Sequence, residues 1–479
     1  MSSLQPVPGC ACKNPDSLML RRKNFFQVRL PRAGCDCSWQ WVLLLVGLFF
    51  LLQACAQKQE QRIPDLARLP QDPGFYLQEA QGGQEPFLDS QEQEKAAQEF
   101  LQSWSSPWRG EKDPDLHDFA QYALSLQEQE LFGEHKRPRQ AGWLERLLYM
   151  SNFANSPALD QPGIVTENSS LRLLPTHRPA FRDFSLAGQG YPFDVLQISA
   201  IWAGTPVRIL HESRDRAWYL VQSGFALGWM QVQDLAVLDQ DKVQEYTQNR
   251  FLAVVKDGVS VLGRRGGHLF TAHIGSLFPL LQEQAHGYLA LVPVRDEQGR
   301  VVLQEAFLAR SQAEVFPLPA EPKSIADLAS RIMGQSYGWG GLYENRDCSA
   351  LMRDLFAPLG IWLPRNSRDQ AQVGRGVELE DLGPEEKKKR ILKQGRPMQS
   401  ILYMPGHVML YLGSHQGQPV VLHNMWGLRT KDILGREGRE VVGRTVITSL
   451  EPGRELFWLD RERGDLLQRM RSMNILGAR

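Results

Sequence analysis

Cys348 stands between Asp347 and Ser349 at the head of a stretch in which Leu351, Met352, Leu355 and Phe356 recur with helical spacing. That period makes an amphipathic helix with its apolar face turned inward, and it sets the cysteine in the first turn. Further on, Pro405-Gly406 precedes a run in which His407, Met409 and Tyr411 alternate with Val408, Leu410 and Leu412. A period of two makes a strand, with the histidine at its start. A turn through Ser414 to Gln418 leads to a second strand, Val420 to Leu422, ending at His423. An antiparallel hairpin brings its two ends together, so His423 falls beside His407. Any fold for this region has to combine that helix with that hairpin.

The combination has a chemistry. Unpaired amides and the positive end of the helix dipole favour thiolate over thiol in a first turn. A cysteine held there is poised to attack a carbonyl if a general base stabilises the ion pair and later protonates the leaving amine. His407 fits the base, and His423 fits a group that orients its imidazole, the logic of a triad on another scaffold. His117, His135, His177, His211, His268, His273, His286 and His415 show no ligand spacing and read as surface or packing groups. The charge run Glu385 to Arg390 reads as a solvated helical face.

Upstream, the periodicity divides the chain. Helical patterning begins at Ser90, with Gln93 placed to complete a capping box and Ala97, Phe100, Leu101 and Trp104 on one face. Trp104, Pro107 and Trp108 read as a packed helix terminus. From about residue 195 short alternating strands take over, broken by Gly, Asp and Pro, the signature of small β-barrels. Gly228-Trp229 closes one unit, and a second begins near Leu252 with Asp257-Gly258 as a hairpin turn. Pro317, Pro319 and Pro322 mark a linker, after which Ser324 caps a helix that Gly334 ends.

Several motifs in order resemble the NlpC-type papain-like cysteine peptidases, bacterial cell-wall hydrolases. Tyr337-Gly338-Trp339-Gly340-Gly341 resembles the aromatic and glycine segment before the nucleophile. Asp347-Cys348-Ser349 matches the nucleophile motif, and Gly360 to Arg365 with Gln370 the segment after the helix. Gly406-His407-Val408 to Gly413, then Leu422-His423, match the two histidine strands. The resemblance covers roughly residues 324 to 460 and implies Cys348 as nucleophile, His407 as base and acid, and His423 as orienter. It implies the Cys348 amide and Tyr337 hydroxyl for the oxyanion, Asp347 and Ser349 for substrate contact, and Trp339 as groove lining. It implies no cofactor and no metal, and peptidoglycan stem peptides as the partner. Zinc on Cys348, His407 and His423 is a further reading, against which the flanking aspartate and serine speak, and the alternatives in function are a non-catalytic wall-binding lipoprotein and a thiol acyltransferase. Two departures stand out: Gly395-Arg396-Pro397 replaces the usual Gly-Asp-Leu, and Phe225-Ala226-Leu227 occupies the stretch where relatives that recycle free peptides carry a tyrosine. The second favours action on intact wall.

The N-terminus bears on location. Arg21-Arg22-Lys23 precedes the apolar run Trp41 to Leu52, which has the proportions of a signal segment. Leu52-Gln53-Ala54-Cys55 resembles the bacterial lipobox, making Cys55 the lipidation site, and Ala56 fits outer-membrane sorting of a periplasm-facing lipoprotein. Lipid through Cys55 would anchor the chain to a membrane. Cys10, Cys12, Cys35 and Cys37 would leave with the signal. With 54 basic and 54 acidic residues the chain has no net charge to draw it to nucleic acid, and a monomer is expected.

The expected fold class is multidomain α+β: a helical N-terminal domain, two small SH3-like β-barrels and a C-terminal papain-like α+β catalytic domain. The boundaries are 1–55 for the signal and lipobox, 56–89 for a tether and 90–190 for the N-terminal stabilising domain. The SH3-like domains take 191–250 and 251–318, and the catalytic domain takes 319–479.

Overall fold

Asp89, not Ser90, caps the long helix Ser90–Arg109: its carboxylate accepts from the amides of Gln91 and Glu92, and Glu92 returns a bond to the Asp89 amide. The capping box is therefore shifted one residue from the expected one, and Gln93 is free to donate to the Leu318 carbonyl instead. Ala97, Phe100, Trp104 and Pro107 are buried. Phe100 meets Phe316 and Trp362, while Trp104 and Trp108 pack on Tyr246. The aromatic cluster is packing, and it ties this helix to the regions that follow.

The computed structural model describes residues 63–79, 85–110 and 115–477. The signal, the lipobox and Cys55 lie outside them. The multidomain α+β class holds. A seven-stranded antiparallel sheet encloses Leu171, Ile209, Val221 and Met230, while Trp229, with no exposed surface, packs on its other face against Phe153. It begins at Gln161, well before the expected 191, because the strands Gln161–Val165 and Ser169–Arg172 pair into it. Those strands are short, and one holds Pro162 and Gly163, so they carry little alternation. Gly228 is obligatory beside Trp229, since a Cβ there would sit 2.8 Å from that of Leu171. The second unit combines a five-stranded sheet with the hairpin Val259–Leu262 and His268–Ala272, over residues 251–315.

Between residues 56 and 89 the expected tether is partly wrong. Ile63 and Tyr76 are buried, Asp65 accepts from the amide and hydroxyl of Ser449, and Glu79 meets His415 at 2.8 Å. Gln- and Pro-rich composition masked a few apolar anchors, which dock residues 63–79 on the last domain.

In the last domain the helix starts at Pro322, with proline at its first turn and Ser324 inside it, and Gly334 follows its end with φ of 74°. The helix Cys348–Phe356 then packs against a six-stranded antiparallel sheet. Strand His407–His415 pairs with Gln418–Lys431 through a turn whose Gln416 and Gly417 have φ of 49° and 74°. Such a turn matches the twist of the strands it joins. His423 lies mid-strand rather than at a strand end, because pairing with Glu437–Ser449 prolongs the strand. The run at 385–390 is not wholly solvated: Lys387 is buried and donates to the carbonyls of Gln468 and Met470, and Lys388 pairs with Glu451.

Candidate active site

His407 Nε2 lies 2.8 Å from His423 Nδ1, and His423 Nε2 lies 3.1 Å from Thr448 Oγ1. Alternation along three paired strands puts these side chains on one face. Thr448 donates its own proton to the Ser449 carbonyl at 2.7 Å, so towards His423 it accepts. The network therefore assigns the ring protons: His423 carries hydrogen on Nε2 and accepts at Nδ1, and His407 donates from Nε2. His407 Nδ1 keeps its lone pair. Burial pulls the pKa of His423 well below the usual value, with His407 adding to the effect, which keeps this relay neutral.

The Cys348 thiol is buried, 7% exposed, and the backbone amides of Val408 and Ser349 lie near enough to favour its charged form. It thus meets the histidine strand at the residue next to His407. The expected resting thiolate is not what burial favours. Desolvation, then the neighbouring Asp347 charge, push the thiol up to about 12, outweighing those amides. Desolvation and the nearby Arg469 lower His407 to about 4, with Asp347 opposing. These shifts favour the neutral form of both groups at pH 7. Alkylation of Cys348 by iodoacetamide, followed by peptide mass, should therefore accelerate about tenfold per pH unit from 7 to 10. A plateau below pH 7 would show a resting ion pair instead.

Asp347 caps the cysteine helix by accepting from the Ala350 amide at 2.8 Å, and it also accepts from the Gly340 amide and the Ser349 hydroxyl. Arg365 completes its shell with bonds of 3.2 and 2.7 Å and reaches Ser349 Oγ at 3.0 Å. Burial raises the Asp347 pKa, but Arg365 and these donors bring it below the ordinary value. A carboxylate with five donors has no acceptor site to spare, so here Asp347 and Ser349 act with Arg365 to fix the loop before the nucleophile and the helix that bears it. Gly340 and Gly341 have φ of 60° and 83°, and a Cβ on Gly341 would lie 2.3 Å from that of Ala200. That close approach seats the loop on the first barrel.

Tyr337 and Trp339 line the same groove as His407, a cavity of about 590 Å³. Burial first, then the negative charge that Cys348 would carry when ionised and that of Asp347, raise the Tyr337 pKa well above its usual value, so its hydroxyl stays a donor. Phe193, from the segment preceding the first barrel's third strand, packs edge-on against Trp339 at 5.2 Å, and Tyr191 meets Trp426 at 5.8 Å. Phe225 lies instead over the Arg353 guanidinium, 4.0 Å away on the cysteine helix, and does not line the groove. Arg365, Thr448 and Phe193 were not singled out from sequence. Thr448 could be found only by knowing the third strand's register.

Thr448→Val removes the acceptor for the His423 Nε2 proton. Loss of one buried hydrogen bond should cost about tenfold in kcat with KM unchanged, and Thr448→Ser should restore it. Steady-state kinetics on a stem peptide check this, and an equal loss in both variants contradicts the relay.

Four family models match the chain in order. They are the NLPC_P60 N-terminal stabilising domain at 44–155, an SH3 domain of SH3b1 type at 179–231, an SH3 domain of SH3b2 type at 239–285, and the NlpC/P60 family at 334–430. A gamma-D-glutamyl-L-lysine dipeptidyl-peptidase of Bacillus subtilis is 29% identical over 102 residues, 20% of this chain and 34% of the relative. A probable endopeptidase of Corynebacterium glutamicum is 30% identical over 92 residues, 19% of this chain and 44% of the relative. The chain thus spans less than half the length of these curated relatives. An NlpC/P60 endopeptidase from Photobacterium damselae subsp. piscicida has the same fold, with a TM-score of 0.77 at 22% identity over 86% of this chain and 98% of that one. With a stabilising domain, two SH3 domains and the catalytic domain in sequence, the chain belongs to the NlpC/P60 family.

Proposed function

We propose that the protein hydrolyses peptidoglycan stem peptides at the bond between γ-D-glutamate and the following diamino acid. The observation that carries this reading is the buried Cys348 thiol set against the strand whose first residue, His407, is hydrogen-bonded to His423. His407 Nδ1 takes the thiol proton as the sulfur attacks the γ-carbonyl. The Cys348 amide and the Tyr337 hydroxyl stabilise the oxyanion. His407 then protonates the departing α-amine, leaving an acyl thioester, and activates the water that releases the γ-carboxylate and regenerates the thiol. The name of the Bacillus relative, which specifies a γ-D-glutamyl link, supports the choice of bond.

The reading extends to an outer-membrane lipoprotein held through Cys55 and facing the periplasm, on the strength of the lipobox-like segment. Phe225 lies outside the groove and has no hydroxyl for a free amine, which favours glycan-linked wall over recycled peptides. Purified sacculi and L-Ala-γ-D-Glu-diamino-acid peptides with free or acetylated alanine test the point. All three should be cut, and strict dependence on an unblocked alanine would overturn the assignment to intact wall.

A further inference from the structure

Beyond His407 the groove wall carries positive charge that the triad does not use. Arg429, Arg439, Arg463 and Arg469 all line it. Two of them are engaged within the protein: Arg439 donates to the carbonyls of Phe184, Leu186 and Gln189, and Arg429 pairs with Glu437 and Asp460. Among the described residues no carboxylate pairs with Arg463 or Arg469. Arg469 donates to the Arg463 carbonyl at 3.1 Å and to the Pro405 carbonyl at 2.8 Å, which leaves most of its five N–H donors for the groove. Burial lowers its pKa, and the charges that add to the effect are those of Arg429, Arg463 and Arg471, all cations. Guanidinium groups gathered on a half-buried wall without a counter-charge make a strong site for a planar anion.

Both arginines lie C-terminal to the 334–430 match to the catalytic family. Their position is informative. Arg469 is anchored to Pro405, two residues before His407, and His407 is the group that protonates the leaving amine. The leaving amino acid therefore passes along this wall. Resting on the function proposed above, we propose that Arg463 and Arg469 form a carboxylate-binding subsite for the diamino acid. The subsite selects a side chain that ends in a carboxylate, as in diaminopimelate, over lysine. Diaminopimelate carries this carboxylate beside its ammonium and so has no net charge there, whereas lysine would bring the ammonium alone to face two guanidinium groups.

The test uses the full-length protein and three peptides, L-Ala-γ-D-Glu-X-D-Ala, in which X is meso-diaminopimelate, its side-chain amide or L-lysine. KM should be roughly tenfold or more lower for the free carboxylate than for either the amide or lysine, both of which present an uncompensated ammonium. Arg463→Gln, which alters an exposed side chain, and the Arg463→Gln/Arg469→Gln double variant should narrow that gap in KM among the three peptides, compared within each variant because loss of the Arg469 charge also acts on His407. Equal KM values for the three peptides overturn the subsite, and this comparison needs no variant to fold. Calorimetric binding of the same peptides to Cys348→Ala separates the two proposals. Preference for the free carboxylate in binding without cleavage by wild type supports the subsite and removes the hydrolase reading. Binding without preference removes the subsite.

Discussion

Replacing His407 by alanine should lower kcat on a stem peptide by about a thousandfold to ten-thousandfold and leave the melting temperature close to wild type. The size follows from how much passes through one ring. Burial keeps the Cys348 thiol protonated, so under the proposed function attack and proton removal would be concerted, with His407 Nδ1 as the acceptor. The same nitrogen would return that proton to the leaving amine and later activate water. No other titratable side chain among those lining the groove can do this at neutral pH, since Tyr337 is held protonated and the rest are arginines. His423→Ala should cost less, because the base survives and loses only its orientation. Rates on a synthetic tetrapeptide decide it: a loss under tenfold for His407→Ala would place the base elsewhere.

The largest effect on stability is expected at Arg346, a side chain with 2% exposure that joins the catalytic domain to the second barrel. Its Nε donates to Asp354 at 2.7 Å, and its two terminal nitrogens donate to Asp257 at 2.6 and 2.9 Å, to Gln335 at 3.0 Å and to the Ile274 carbonyl at 3.0 Å. Burial alone would raise the Asp257 pKa, yet Arg346, the nearby His273 and the bond from Gln335 hold it far below the usual carboxylate range. Arg346→Met keeps the bulk but strands a charge in a dry interface, which should cost about 3–5 kcal/mol. Asp257→Asn in the same background should recover part of the loss, because it removes the stranded charge. Denaturant melts of the two variants check this, and a single variant within about 1 kcal/mol of wild type would show that the pair is dispensable. The sign with pH is fixed by the depressed Asp257 value. Its stabilisation is complete above the unfolded carboxylate pKa near 4 and is lost as pH falls towards the folded value.

The parts of the site legible in the sequence are those written in local periodicity. Leu351, Met352, Leu355 and Phe356 announce the cysteine helix, and the alternation from His407 to Leu412 announces its strand. The short turn before Gln418 then brings His423 to His407. What the sequence hides depends on partners far along the chain. Lys387 looks like one charge in a solvated run, and its burial is tolerable only because two carbonyls near residue 470 receive its protons. Asp347 looks free to meet a substrate until Arg365 folds back onto it. Tyr76 sits in a Gln- and Pro-rich stretch and becomes core only against the last domain. The first barrel's early strands fail for the opposite reason, since five residues with a proline and a glycine have too little pattern to be recognised before their neighbours are known.

Digestion of purified sacculi with the full-length protein, with Cys348→Ala in parallel, followed by mass analysis of the released fragments, goes most directly to the claim that this cysteine cuts wall peptides. Fragments bearing a new amine on the diamino acid and a new γ-carboxylate on D-glutamate, absent from the Cys348→Ala digest, are the predicted result. Equal release by both proteins, or new ends at any other bond, would contradict it.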